Sequence, residues 1–173
     1  MKLFKNIKKW LENQEHLFYL FLLILIVPNI ILCFTEPMPV VAKVCNLLLP
    51  FAFYYLLMTL SRNCGKMFWI LFLFIFFGAF QIVLLYLFGQ SIIAVDMFLN
   101  LVTTNSSEAM ELLDNLVPAL VSVIILYIPA LILAAISIIK KRKLSPEFIR
   151  RERKKAWIAL LIGFISLDRK SVV

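Results

Sequence analysis

Hydrocarbon side chains run almost unbroken through Leu17–Thr35, Val40–Leu60, Met67–Phe88, Leu116–Ile139 and Ala156–Leu167, and short polar segments separate these runs. A run of about 19 apolar residues reaches ~28 Å at 1.5 Å per residue, enough to cross a ~30 Å hydrocarbon core. The pattern therefore predicts an all-α, polytopic membrane protein with four complete spans. Pro28, Pro50 and Pro129 lie inside runs, and Pro28 and Pro129 are expected to bend theirs. Pro118 falls in a first turn, where a missing N–H costs little. The last run differs from the others. From Ala156 to Leu167 it has twelve residues, ~18 Å of helix, too short to cross. Asp168, Arg169 and Lys170 would then sit among acyl chains at high cost. The expectation is a fifth helix cut short, with residues 168–173 a tail not native to it.

One stretch breaks the hydrocarbon monotony. Between residues 92 and 115, polar groups recur at Asp96, Asn100, Thr104, Glu108, Glu111 and Asn115. Steps of four and three return to one side of a helix, and at 100° per residue these six fall within about 120°. Phe98, Leu99, Leu101, Val102, Ala109, Met110, Leu112 and Leu113 fill the other side. This is the pattern of an interfacial helix lying between the third and fourth spans. Asn105 and Ser106 project onto the apolar side, and Asn105-Ser106-Ser107-Glu108 reads as a capping box. A break is therefore expected near Thr104 and Asn105, with two short helices meeting there.

Composition agrees with the spans, since 63% of the 173 residues are hydrophobic, against ~45–50% for a soluble domain. The net charge of +8 changes the picture only through its distribution. Lys2, Lys5, Lys8 and Lys9 precede the first run, and Arg62 and Lys66 lie in the next loop but one. Nine more crowd the segment 140–155, and no Lys or Arg occurs from Met67 to Ile139. Basic residues in alternate loops mark the cytoplasmic side and argue against a nucleic-acid partner. They place the amino terminus inside, and the 92–115 helix outside. The segment 140–155 reads as a basic internal linker resting on anionic lipid. Cys33, Cys45 and Cys64 lack metal-ligand spacing and read as small buried hydrophobes. His16 has no catalytic partner nearby in the sequence.

The run Asn-Leu-Val-Thr-Thr-Asn-Ser-Ser-Glu-Ala-Met-Glu-Leu-Leu from Asn100 to Leu113, set among four spans, a basic linker and a further apolar run, resembles the amino-terminal membrane domain of bacterial phosphoethanolamine transferases. The resemblance covers residues 1–167, and its specific part is Asn100-x-x-x-Thr104-Asn105-x-x-Glu108. It implies an inner-membrane domain that binds phosphatidylethanolamine as donor, for transfer to lipid A or a related envelope glycan. It also implies that Asn100, Thr104 and Glu108 line the headgroup site, with Asn105, Glu111 and Asn115 as weaker members. The zinc and the nucleophilic threonine of that family belong to a soluble α/β domain that this sequence does not contain. No cofactor is therefore expected in this chain, and it is not expected to catalyse transfer by itself.

The headgroup chemistry suits these residue types. An ammonium needs an anionic partner such as Glu108, and a phosphodiester needs donors such as the Thr104 hydroxyl and the Asn100 amide. Thr103 and Thr104 lack the base or metal that would make either a nucleophile. Two other readings fit the same layout: an extracytoplasmic transferase of the phosphoglycerol type, and a small non-enzymatic membrane protein for transport or assembly. The second is weakened because Asn29, Asn46, Gln81 and Ser122 are the deep polar groups, and none carries charge.

Overall fold

The computed structural model describes residues 10–88 and 106–168. Among them the regular structure is entirely helical: α1 (Gln14–Thr35), α2 (Val40–Met58), α3 (Cys64–Ile70), α4 (Phe72–Phe88), α5 (Ser106–Ile139) and α6 (Pro146–Asp168). Three stretches are long and apolar enough to cross a membrane: Gln14–Thr35, Val40–Met58 and Leu120–Ile139. A fourth is reached if the bent pair α3–α4 counts as one span. The chain is thus a helical membrane protein.

Local chemistry fixes where the helices start. The Asn13 side chain accepts from the Glu15 N–H at 2.9 Å, so α1 opens ahead of its apolar run. Asn63 caps α3 in the same way, accepting from Lys66 N–H at 2.8 Å. Ser145 Oγ accepts from Phe148 N–H at 3.2 Å, with Pro146 opening the first turn of α6 and Glu147 beside it.

Three boundaries differ from those expected. The segment 140–155 is not a linker throughout, because α6 begins at Pro146 and carries Arg150 to Lys155 on its first turns. The Ser145-Pro146-Glu147 start outweighs the charge that follows it. Likewise Ser106 to Asn115 is no separate surface helix but the opening of α5, which runs 34 residues through Pro118 and Pro129 without interruption. The rest of the 92–115 stretch, through Asn105, lies outside the described residues, and the break expected near Thr104 and Asn105 lies there with it. Third, the Met67–Phe88 run is two helices that meet at a 62° bend.

That bend falls at Leu71 (φ −77°, ψ 12°), with no proline or glycine to cause it. Close contacts on either side of it explain the geometry. At Gly65 in α3, a Cβ would lie 2.3 Å from the Ala134 carbonyl oxygen of α5. At Gly78 in α4, a Cβ would meet Pro28 Cγ of α1 at 3.0 Å and the Tyr127 hydroxyl of α5 at 3.3 Å. A straight helix could not lie flush at both places. Lipid tails are as apolar as leucine, so small residues at crossings and interhelical polar bonds carry much of the packing.

Of the three spans, α1 is the most buried. Half of its span is covered, against 17% for α2 and 22% for the span in α5. Phe18, Phe21 and Phe68 are fully buried, and the Phe21 and Phe68 rings stack at 4.5 Å. The outer surface is also hydrocarbon: Leu73, Phe77, Ile125 and Ile165 are each more than 60% exposed, as lipid-facing residues should be. Antiparallel to α2 lies α6, packed along its length. Gly163 faces Leu48 and Leu49, the Cys45 thiol reaches the Ser166 carbonyl at 3.6 Å, and Tyr55 bonds Glu152.

Candidate functional site

Polar positions concentrate in two places, the first turns of α5 and the first turns of α6. The first belongs to α5. Asn100, Thr104 and Asn105 lie outside the described residues. Glu108, Glu111 and Asn115 lie on the first turns of α5, with their side chains outside the described part. Their backbone positions can still be followed. At 100° per residue, positions 108, 111 and 115 share a side of α5 with Ser122, Leu126, Pro129 and Leu133, all within about 60°. Those four line one wall of a groove of about 670 Å³, and Leu20, Leu23, Ile24 and Val27 of α1 form the other. This is the volume of a ligand-sized cleft, which typically spans ~300–1,000 Å³.

The groove is almost wholly apolar, and its Ser122 hydroxyl is satisfied by the Pro118 carbonyl at 2.9 Å. Pro129 has no N–H for the Ile125 carbonyl, and Pro28 has none for that of Ile24. Ile125 and Ile24 lie on facing walls of the groove. An almost wholly apolar groove of this size can accept a hydrocarbon chain.

The second assembly, at the basic end, was not foreseen from the sequence. Glu152 of α6 is fully buried among cations and hydroxyls. Tyr55 donates its hydroxyl to one carboxylate oxygen. Arg151 Nε reaches the other at 2.8 Å, and Lys155 Nζ lies 3.0 and 3.3 Å from the two. Burial by itself raises the pKa of a carboxyl. Here hydrogen bonds from Tyr55, Arg151, Lys155 and Tyr19 outweigh it and hold Glu152 down at about 2. The group is an anchored anion at any ordinary pH. Its periodicity could have revealed it, since Phe148, Ile149, Glu152, Ala156 and Gly163 follow the buried side of one helix.

Around it the loops are stitched together. Arg62 Nε donates to the Leu144 carbonyl at 3.2 Å, and Leu144 N–H returns to the Arg62 carbonyl at 2.7 Å. The Asn63 amide bonds the Arg142 carbonyl at 3.0 Å, and Arg153 donates to the Thr59 carbonyl at 2.6 Å. Gln14 accepts from Ser137 Oγ at 2.7 Å and from the Cys64 thiol at 3.4 Å. Deeper in the bundle Asn29 and Asn46 pair across α1 and α2: Asn29 Nδ2 donates to Asn46 Oδ1 at 3.1 Å, and Asn46 Nδ2 to the Asn29 carbonyl at 3.0 Å. These are structural bonds, and among the described residues Gln14 Nε2 is the buried side-chain atom they leave without a partner.

Among the described residues no three His, Cys, Asp or Glu side chains are grouped to hold a metal ion. No protein-family model, curated protein or solved structure matches the chain.

Proposed function

We propose that this chain is the membrane domain of a bacterial phosphoethanolamine transferase and binds phosphatidylethanolamine as the donor lipid. On this reading it lies in the inner membrane with its amino terminus cytoplasmic. The α3–α4 pair completes four spans, and α6 forms the beginning of a fifth. The polar segment of residues 92–115 faces the periplasm.

One observation carries the proposal. By ideal helical phase, positions 108, 111 and 115 of α5 fall on the same side as the residues that line the groove between α1 and α5. A phospholipid has the same layout, with a charged headgroup above and hydrocarbon below. Glu108 meets the ammonium, Asn100 and Thr104 donate to the phosphodiester, and an acyl chain lies against Leu20, Leu23, Leu126 and Pro129. Lipid A or a related glycan is the acceptor. Zinc, on this reading, serves a soluble domain of the enzyme, and the residues described here are assigned donor binding alone.

The test uses the chain in nanodiscs containing phosphatidylethanolamine, phosphatidylglycerol and phosphatidylcholine in equal parts, followed by delipidation and mass spectrometry of the retained lipid. Phosphatidylethanolamine should be enriched, and Thr104→Ala and Glu108→Ala should each lower its retention about tenfold, the loss of roughly one charge-assisted bond. Equal retention of the three lipids, or variants that retain phosphatidylethanolamine as wild type does, would refute the proposal. Selective phosphatidylglycerol retention lost in those variants would favour the phosphoglycerol type.

A further inference from the structure

The exposed side of α6 changes character once along its length. At 100° per residue, Arg151, Lys154, Ile158, Leu161 and Ile165 fall within about 80° of one another, with Arg150 and Lys155 flanking. The first part is basic and the second is hydrocarbon: Ile158, Leu161 and Ile165 are 58%, 60% and 64% exposed. Trp157, half exposed at the transition, is the residue type favoured at a membrane–water interface. Glu147, Arg150, Arg151, Lys154, Lys155 and Ile158 together line a cleft of about 410 Å³.

Two of the four cations are held rather than free. Glu152, on the opposite and buried side, binds Arg151 Nε at 2.8 Å and Lys155 Nζ at 3.0 Å. The Arg151 guanidinium also lies over the Phe148 ring, 5.3 Å from its centroid. Fixing long side chains in advance reduces the entropy a ligand must remove on binding.

We propose that this side of α6 is a stoichiometric site for one anionic phospholipid, with its phosphate among Arg150, Arg151, Lys154 and Lys155 and an acyl chain along Ile158, Leu161 and Ile165. Charge complementarity and the single polar-to-apolar transition identify the occupant. A soluble phosphate would satisfy the cations but leave the hydrocarbon strip unused. The site is independent of the donor-lipid proposal, since it lies on a different helix and selects a different headgroup. Glu152 acts as its positioning residue.

The experiment uses the whole chain in nanodiscs of phosphatidylcholine with increasing phosphatidylglycerol. Trp10→Phe and Trp69→Phe leave Trp157 as the reporter, and brominated phosphatidylglycerol is the quencher. Quenching should saturate, and native mass spectrometry should retain one phosphatidylglycerol per chain. Lys154→Ala should raise the half-saturating lipid fraction about fivefold, whereas Lys143→Ala, which removes the same charge off this side of the helix, should not change it. Glu152→Gln adds a net positive charge yet should weaken binding, because Arg151 and Lys155 lose their anchor. Inorganic phosphate at 20 mM, on the order of bulk screening concentrations, should not displace the lipid.

Equal effects of Lys143→Ala and Lys154→Ala, or linear quenching without saturation, would overturn the proposal in favour of diffuse attraction. Displacement by inorganic phosphate would also overturn it, by showing that the acyl chain contributes nothing. The lysine pair decides the matter even if Glu152→Gln fails to fold.

Discussion

Gly65→Ala puts the packing argument to its sharpest test. The substitution adds one methyl group to α3 where it crosses α5. Its Cβ would lie 2.3 Å from the Ala134 carbonyl oxygen and 3.0 Å from Ser137 Cβ. Moving the first distance out to the 3.0 Å that real Cβ contacts respect needs about 0.7 Å of separation, and the obstacle is backbone rather than a mobile side-chain end. Separating the helices would also strain the Asn63 and Ser137 bonds beside the crossing. Overpacking of this kind costs ~1–3 kcal/mol, while alanine returns ~1 kcal/mol of helix propensity. The net loss should be up to about 2 kcal/mol, a fall in Tm of up to several degrees for a chain of this size.

Gly163→Ala is the comparison. Its Cβ meets Leu49 Cδ2 at 2.9 Å, a flexible side-chain end that can turn aside, so the two costs should differ. Thermal unfolding in detergent, followed by fluorescence-detected size exclusion, measures both. If Gly65→Ala unfolds at or above the wild-type temperature, or if Gly163→Ala is the more damaging, the account of the α3–α5 crossing is wrong.

Other expected outcomes concern the polar bonds. The Glu152 carboxyl is held at about 2, below its ordinary 4.5; its contribution is therefore complete above pH 4.5 and is lost as pH falls toward 2. Tm measured between pH 6 and 3 should drop more steeply for wild type than for Glu152→Gln, and parallel curves would show that Glu152 contributes nothing. Asn46→Leu removes the bonds to Asn29 and Cys33 and should cost ~0.6–1.7 kcal/mol, the range for interhelical bonds in membranes. Denaturation in mixed micelles would reveal it, and an unchanged midpoint would show that the pair is incidental.

Much of the helical architecture could be read directly from hydropathy. The apolar runs became helices, because a segment in hydrocarbon must satisfy its own backbone and few other structures can. The misread boundaries have a common origin. Charge was taken to end a helix at Lys140–Lys155, yet Ser145-Pro146-Glu147 starts one within that segment. The polar stripe was read as a surface helix, although nothing after Asn105 terminates it before Ile139. The bend at Leu71 has no local cause in Trp69-Ile70-Leu71-Phe72 and depends on glycine contacts with helices remote in sequence. Glu152 was hidden by its neighbours, since a lone acid in Arg150-Arg151-Glu152-Arg153-Lys154-Lys155 looks solvated until its helical phase is followed. For the proposed donor site, the alignment of Glu108, Glu111 and Asn115 was legible; the groove it continues into could not be, because α1 supplies the second wall.

The pairing of α6 with α2 has a consequence for how the bundle is made. Tyr55 and its partner Glu152 are separated by 97 positions along the chain. A ribosome adding about 5–20 residues per second needs roughly 5–20 s to cover that distance. During this interval α2 has emerged, but the face that α6 will cover can touch only lipid or an insertion chaperone. The bundle is therefore closed on this side by a helix made well after its partner, and a nascent chain arrested before Pro146 should be more exposed to membrane proteolysis than one that includes α6.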